Sequence, residues 1–235
     1  MIPKKIHYCW FGGNPLPDDI KRYIDSWKKY CPDYEIVEWN EKNFDIKRVN
    51  YVEQAYNAKK WAFITDYVRL YVLYNYGGIY MDTDVEVLKP LDQLLSLKGF
   101  SGFENDTSIP TGIMAAEKGL PLIKNLMNEY DNANFIKENG DLDLTTNVTR
   151  ITSYFKSRGF KCNNSKQIIE DFTIFPKDYF CPKDYRTLEL VITKNTYTIH
   201  HFASSWITNK SKVNKLIKKL LGPQNCKILL KIIGR

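Results

Sequence analysis

The sequence predicts an α/β fold around a mixed, mainly parallel sheet, and three features carry that expectation. The chain opens strand–turn–helix–strand. A long apolar helix stops at Gly77-Gly78 and feeds straight into another strand. Short apolar runs then recur to about residue 202, with no internal repeat and no low-complexity linker. The 235 residues, 43% of them hydrophobic and 14% aromatic, can bury one sizeable core and exclude a disordered, collagenous or coiled-coil chain.

Taken in order, residues 4–11 read as a first strand that ends in the turn Gly12-Gly13-Asn14-Pro15. Pro17 and Asp18 open a helix with Ile20, Tyr23, Ile24 and Trp27 at helical spacing, which ends near Cys31-Pro32. Residues 34–39 form a second strand, and residues 51–76 the longest helical stretch, buried from Trp61 onward. Residues 79–88 are expected as one continuous strand, broken at Lys89-Pro90. Further strands are expected at 99–104, within 109–116, at 172–175 and at 196–202, with a helix at 121–130 and loop over 131–146.

The formal charge is +7, but it is unevenly placed. Eight basic residues and no acid lie between Lys210 and Arg235, leaving residues 1–209 with 26 basic and 27 acidic side chains. The body is neutral, so specific nucleic-acid binding is disfavoured. The expected organisation is a domain over 1–208 and a basic amphipathic tail over 209–235. Within 211–221, Val213, Leu216, Ile217, Leu220 and Leu221 share one helical face, and Lys212, Lys215, Lys218 and Lys219 lie off it. This is the pattern of a helix lying on an anionic membrane surface. Five scattered cysteines without a CxxC argue against a disulfide scaffold or structural zinc and fit a reducing compartment. No window is long and apolar enough to span a membrane, and the N-terminus does not read as a signal peptide. The expected location is cytoplasmic, peripheral to the inner face of the cell membrane.

The chemistry concentrates at Asp82-Thr83-Asp84. In an extended segment residues i and i+2 share a side, so both carboxylates are expected on one face, roughly 7 Å apart at Cα. Ile79, Met81, Val85 and Val87 then face the core. Paired carboxylates repel unless a cation or donors neutralise them, and hard divalent ions such as Mn²⁺ or Mg²⁺ take oxygen ligands from such pairs. Upstream, Ala62, Asp66 and Arg69 fall on one face of the apolar helix. The two charges are one turn apart and can pair.

The stretch Ala62-(x3)-Asp66-(x2)-Arg69, followed by Gly77-Gly78-Ile79-Tyr80-Met81-Asp82-Thr83-Asp84, resembles the DXD-containing sugar-binding region of glycosyltransferases. The match is closest to glycosyltransferase family 32, which groups yeast mannosyltransferases with bacterial capsular-polysaccharide transferases; the glucosylating domains of the large clostridial toxins are distant relatives. The opening IPKKIHYCWFGG and the late HHFASSW (200–206) resemble that family too, so the likeness spans residues 1 to about 207.

The resemblance implies a GT-A fold and metal-dependent transfer, with retention, from a nucleotide-diphosphate sugar, UDP-sugar favoured. The acceptor would be a glycan or lipid-linked glycan in bacterial surface polysaccharide synthesis. It places Trp10 on the nucleobase with the backbone of Ile6 and His7 nearby, and Ala62, Asp66, Arg69, Tyr80 and Asp82 along the donor. Asn147 would touch the donor sugar, although Thr145-Thr146-Asn147 stands where relatives often carry Thr-Gly-Pro. Asp84 would hold the metal with Asp82 and His201, and Ser204, Ser205 and Trp206 would close over the diphosphate. The register of that last segment is open by one residue, so His200 is the alternative to His201. Asp82, Asp84 and Arg69 would be the catalytic set.

Two rivals bear on the reading. A haloacid-dehalogenase-type phosphatase needs Thr or Val four residues after its first aspartate, and Glu86 stands there. A non-enzymatic carbohydrate-binding protein would account for the aromatics but has no need of a buried Asp66–Arg69 pair beside two acids.

Overall fold

The computed structural model describes residues 1–110, 112–203, 221–226 and 228. The expectations for Ser204, Ser205, Trp206 and nearly all of the basic tail lie outside the described residues.

Strand β1 (Lys5–Cys9), helix α1 (Asp18–Tyr30) and strand β2 (Glu35–Trp39) form the expected opening unit. Acids in the first turn of α1 and lysines in its last complement the helix dipole. The single long helix expected next is two: α2 (Asn50–Asn57) and α3 (Trp61–Tyr76). Lys59 between them sits at φ 55°, a left-handed position no helix accommodates. Helix α3 is apolar nearly all round and is buried as a consequence. It ends at Gly77 (φ 67°), where a Cβ would lie 2.7 Å from the backbone nitrogen of Lys118.

The expected strand over 79–88 is also divided, into β3 (Gly78–Met81) and β4 (Val85–Val87). Asp82-Thr83-Asp84 forms the turn between them, closed by the Val85 N–H donating to Asp82 O at 3.0 Å. There follow β5 (Gly99–Gly102), β6 (Ile113–Ala116), α4 (Pro121–Asp131), α5 (Asn147–Lys156), β7 (Gln167–Ile169), β8 (Phe172–Phe175), α6 (Lys177–Phe180) and β9 (Thr198–His200).

The main sheet has the order β2-β1-β3-β6-β5-β8-β7. Strands β2, β1, β3, β5 and β8 run one way, and β6 and β7 run against them. Strand alternation sends Ile6, Ile79, Met81 and Phe100 to a core under α1, and Tyr80, Met114 and Ala116 to a core under α3 and α4. The parallel strands β1, β2 and β3 present their carboxyl ends together, where ligands of open α/β sheets bind. A separate two-stranded sheet pairs β4 antiparallel with β9, with Val85 opposite His200.

Candidate active site

Helix α3 supplies Asp66 and Arg69, one turn apart. The Arg69 guanidinium lies 3.5 Å from Asp66 Oδ1 and 3.3 Å from Asp82 Oδ1, over the ring of Tyr80 at 4.5 Å, with only 3% of the residue exposed. The Tyr80 hydroxyl donates to Asp82 Oδ1 at 3.0 Å. Burial would lift the Asp66 carboxyl; Arg69 beside it opposes this, and the balance stands at about 7. Asp66 Oδ2 accepts the backbone N–H of Asn147, the first residue of α5, at 3.2 Å. The charged face read from the sequence is thus one network that joins α3, α5 and the turn after β3.

The turn brings Asp82 and Asp84 together by folding the chain rather than by extending it. The Asp82 N–H is anchored on Gly112 O at 2.8 Å. Asp84 Oδ2 accepts the Ala203 N–H at 2.6 Å, and Asp84 O accepts the His201 N–H at 2.9 Å. His200 reaches back from β9: its Nε2 lies 3.2 Å from Asp84 Oδ1 and 4.0 Å from Asp82 Oδ2. Burial works against charge on both Asp84 and His200, but each stabilises the charged form of the other. The Asp84 carboxyl is held at about 2 and the His200 imidazole well above its ordinary value.

Among the described residues, Asp82, Asp84 and His200 offer donor atoms within 4.8 Å of one another. Two carboxylate oxygens and one imidazole nitrogen are a donor set suited to Mn²⁺ or Mg²⁺. The imidazole is packed on Gly112, where a Cβ would lie 2.7 Å from His200 Nδ1, so a side chain there would displace the ring.

His201, the first choice from the sequence, is turned elsewhere. Its Nε2 is 2.8 Å from Glu86 Oε2 and its ring stacks on Tyr23 at 4.5 Å. The alternation of β9 puts the neighbouring histidine, His200, on the carboxylates. Ile6 and His7, whose backbone is expected near the nucleobase, lie in β1. They are mid-strand in β1, flanked by β2 and β3, and buried. His7 Nε2–H donates to Gly77 O at 2.9 Å and Nδ1 accepts Trp39 Nε1–H at 3.1 Å, so both ring nitrogens are committed to holding the sheet to the end of α3.

Trp10 follows β1 and lines a cavity of about 660 Å³ at the carboxyl ends of β1 and β2. Trp61, Tyr56, Asn40 and Glu41 share the lining. Ala62 is half-buried in the first turn of α3, next to Trp61, and its carbonyl accepts the Thr65 hydroxyl. Asn147 is 1% exposed and reaches Asp66 through its backbone N–H. Trp61, which lines the cavity, does not stand out in the sequence because it is one aromatic among many in an apolar helix.

Comparison with known proteins bears on this arrangement. Residues 17–100 match the family described as glycosyltransferase sugar-binding region containing DXD motif. The chain is 31% identical over 130 residues to inositol phosphoceramide mannosyltransferase 3 of Schizosaccharomyces pombe, covering 52% of this chain and 35% of that protein. It is 29% identical over 105 residues to the initiation-specific alpha-1,6-mannosyltransferase of Candida albicans, covering 40% and 27%. An uncharacterized glycosyltransferase of Acanthamoeba polyphaga mimivirus is 24% identical over 230 residues, covering 88% and 84%. Among solved structures, the galactosyltransferase LgtC, in complex with donor and acceptor sugar analogs, is similar over 92% of this chain and 94% of its own, at 13% identity and a TM-score of 0.49.

The α/β fold places the DXD turn at the carboxyl end of β3, beside the buried Arg69. Residues 17–100, just over a third of the chain, are similar to the DXD-containing sugar-binding region of glycosyltransferases. The matched stretch spans about a third of the length of the yeast mannosyltransferases.

Proposed function

We propose that the protein transfers a sugar from a nucleoside-diphosphate donor to a glycan acceptor, with a divalent cation held by Asp82, Asp84 and His200. The observation that carries this reading is the convergence of two carboxylates and an imidazole beside the buried Arg69. A bound Mn²⁺ or Mg²⁺ supplies positive charge to a leaving diphosphate. Arg69, fixed by Asp66 and Asp82, adds a second, pre-oriented cation in a region from which water is largely excluded.

The cavity beside Trp10 and Trp61 supports a nucleoside site, with two indole side chains in its lining for the base to meet. UDP-sugars are the first donors to test. In the transfer, the bond from the anomeric carbon to the β-phosphate oxygen breaks. A bond from that carbon to the acceptor oxygen forms on the same face, and the acceptor proton passes to the leaving phosphate. Attack on the face the phosphate leaves gives retention, and no protein nucleophile is needed.

Melting of the full chain with UDP, GDP and their sugars, with and without Mn²⁺, tests the reading. A ligand at a hundred times its dissociation constant adds about 2.7 kcal/mol. Asp84→Asn is expected to abolish the Mn²⁺-dependent part of the shift and to lower transfer at least a hundredfold. Full transfer in excess chelator would refute the proposal.

A further inference from the structure

Among the described residues eleven large apolar side chains are exposed, and four of them fall within eight residues: Tyr185, Leu190, Val191 and Ile192. Val191 and Ile192 are 56% and 55% exposed, and all four stand outside both cores. Consecutive side chains point in different directions, so three exposed aliphatics in a row mean that this segment stands off the domain. Apolar side chains scattered singly over a surface are ordinary, whereas a contiguous patch rimmed by polar groups marks a contact surface.

A firmly closed loop displays the patch. Lys183 and Leu190 form an antiparallel bridge. The Asp184 N–H donates to Glu189 O at 2.8 Å, and the Val191 N–H to Pro182 O at 3.2 Å. Asp184 Oδ1 accepts the N–H groups of Arg186 and Thr187 at 2.8 and 2.9 Å. Beyond the patch, Asp178 Oδ2 accepts the Thr193 hydroxyl at 2.8 Å and Asn195 Nδ2 at 3.1 Å, which ties the loop back to α6.

The rim is basic. Asp184 is spent on its own turn and lies 3.4 Å from the Arg186 guanidinium. Arg186 and Lys194 are exposed, and Lys89 Nζ joins them by donating to Lys194 O at 2.8 Å. From Leu190 to Arg235 the sequence carries nine basic residues and no acid. A bilayer containing anionic lipid matches both features. Its interfacial layer takes up aliphatic and tyrosine side chains, and its headgroups attract lysine and arginine. A second copy of the chain on the same patch would set these cations against one another.

The loop also touches the end of the molecule that carries the candidate metal ligands. Lys183 Nζ donates to His201 O at 3.3 Å. The Tyr185 ring lies 5.8 Å from that of Phe202, and the Phe202 ring 4.2 Å from that of His200.

We infer that the loop over residues 183–194 docks on an anionic lipid bilayer: Tyr185, Leu190, Val191 and Ile192 enter the interfacial layer, and Arg186 and Lys194 meet the headgroups. Docked in this way, the side of the molecule that carries His200 is next to the lipid. The contact requires neither nucleotide nor metal, so its failure leaves the glycosyltransferase reading standing.

The test is sedimentation of the full chain with vesicles of equimolar phosphatidylcholine and phosphatidylglycerol at low and high salt. High salt screens the lysines of the tail and leaves apolar insertion. The native chain is expected to stay bound at high salt, and the double variant Val191→Asp, Ile192→Asp to weaken that binding at least tenfold with its melting temperature unchanged. The milder pair Val191→Ser, Ile192→Ser should fall between the two. A depth probe locates the contact: an environment-sensitive fluorophore on Ile192→Cys, in a Cys162→Ser background, should shift its emission to the blue when vesicles are added. The same label on Ile168→Cys, exposed on β7, should not respond. Equal high-salt binding by the native chain and the Asp variant would overturn the inference. An Ile192 label already blue-shifted without vesicles and unmoved by them would do the same, since another part of the chain would then cover the patch. So would a dimer that the Asp variant converts to monomer in the absence of any vesicle binding, which would make a second copy the occupant.

Discussion

Asp66 is held far from its ordinary chemistry. Its carboxyl is lifted from an ordinary 3.8 to about 7, chiefly by burial and against the pull of Arg69. Between those values the folded chain binds a proton that the unfolded chain has released. Its contribution to stability therefore falls as pH rises from about 4 to 7 and is constant above. Asp66→Asn removes that slope. Relative to the native protein, the variant should gain a few kcal/mol between pH 5 and pH 8 in paired urea melts; parallel pH profiles would mean that Asp66 is ionised throughout. Gly112 makes a second residue-scale case, because its lack of a side chain leaves room for the His200 ring. Gly112→Ala should weaken Mn²⁺ binding, followed calorimetrically with nucleoside diphosphate present, at least tenfold while melting falls by only a few degrees. Unaltered Mn²⁺ affinity would show that the ring can move without cost.

Helix α5 was not legible in the sequence, although it supplies the N–H that meets Asp66. Its cap is plain once seen: the Thr146 hydroxyl accepts from the Thr149 N–H. Thr146→Ala should cost about 1 kcal/mol in denaturant melts, and because the first turn of α5 rests on Asp66, activity should fall with it. A loss of stability without a loss of activity would separate the cap from the site. The signal was masked by the polar run before it and by a helix of only ten residues. By contrast β1, α1, β2, α4 and β8 follow from hydrophobic spacing and punctuation, because each has one clear buried face. The DXD segment was misread for a physical reason. Apolar residues on both sides of the acids, Ile79 and Met81 before and Val85 and Val87 after, keep the alternation of one strand. The chain nevertheless turns between them, and both pairs still reach the same core. The family resemblance pointed to Asp82, Asp84 and Arg69, which the fold brings close together. It could not distinguish His200 from His201, because that choice is set by which face of β9 meets the carboxylates.

For the molecule as a whole, the charge is divided between a neutral body and a basic tail. Replacing Lys212, Lys215, Lys218 and Lys219 with Glu should abolish salt-sensitive sedimentation with anionic vesicles and leave soluble transfer intact, whereas equal sedimentation of both proteins would discard a membrane role for the tail. No helix among the described residues is long and apolar enough to cross a membrane. The pairing of β4 with β9 has a consequence for the life of the chain in time. It brings together segments about 115 residues apart, as the His201–Glu86 contact marks. On a ribosome adding roughly 5–20 residues per second, the two aspartates are in place for several seconds before either histidine exists. An emerging chain can shape the cavity beside Trp10 during that interval, but it lacks the third arm of the cluster. The nascent protein therefore lacks the complete Asp82–Asp84–His200 cluster until β9 arrives, and whatever that cluster is to hold must wait for it.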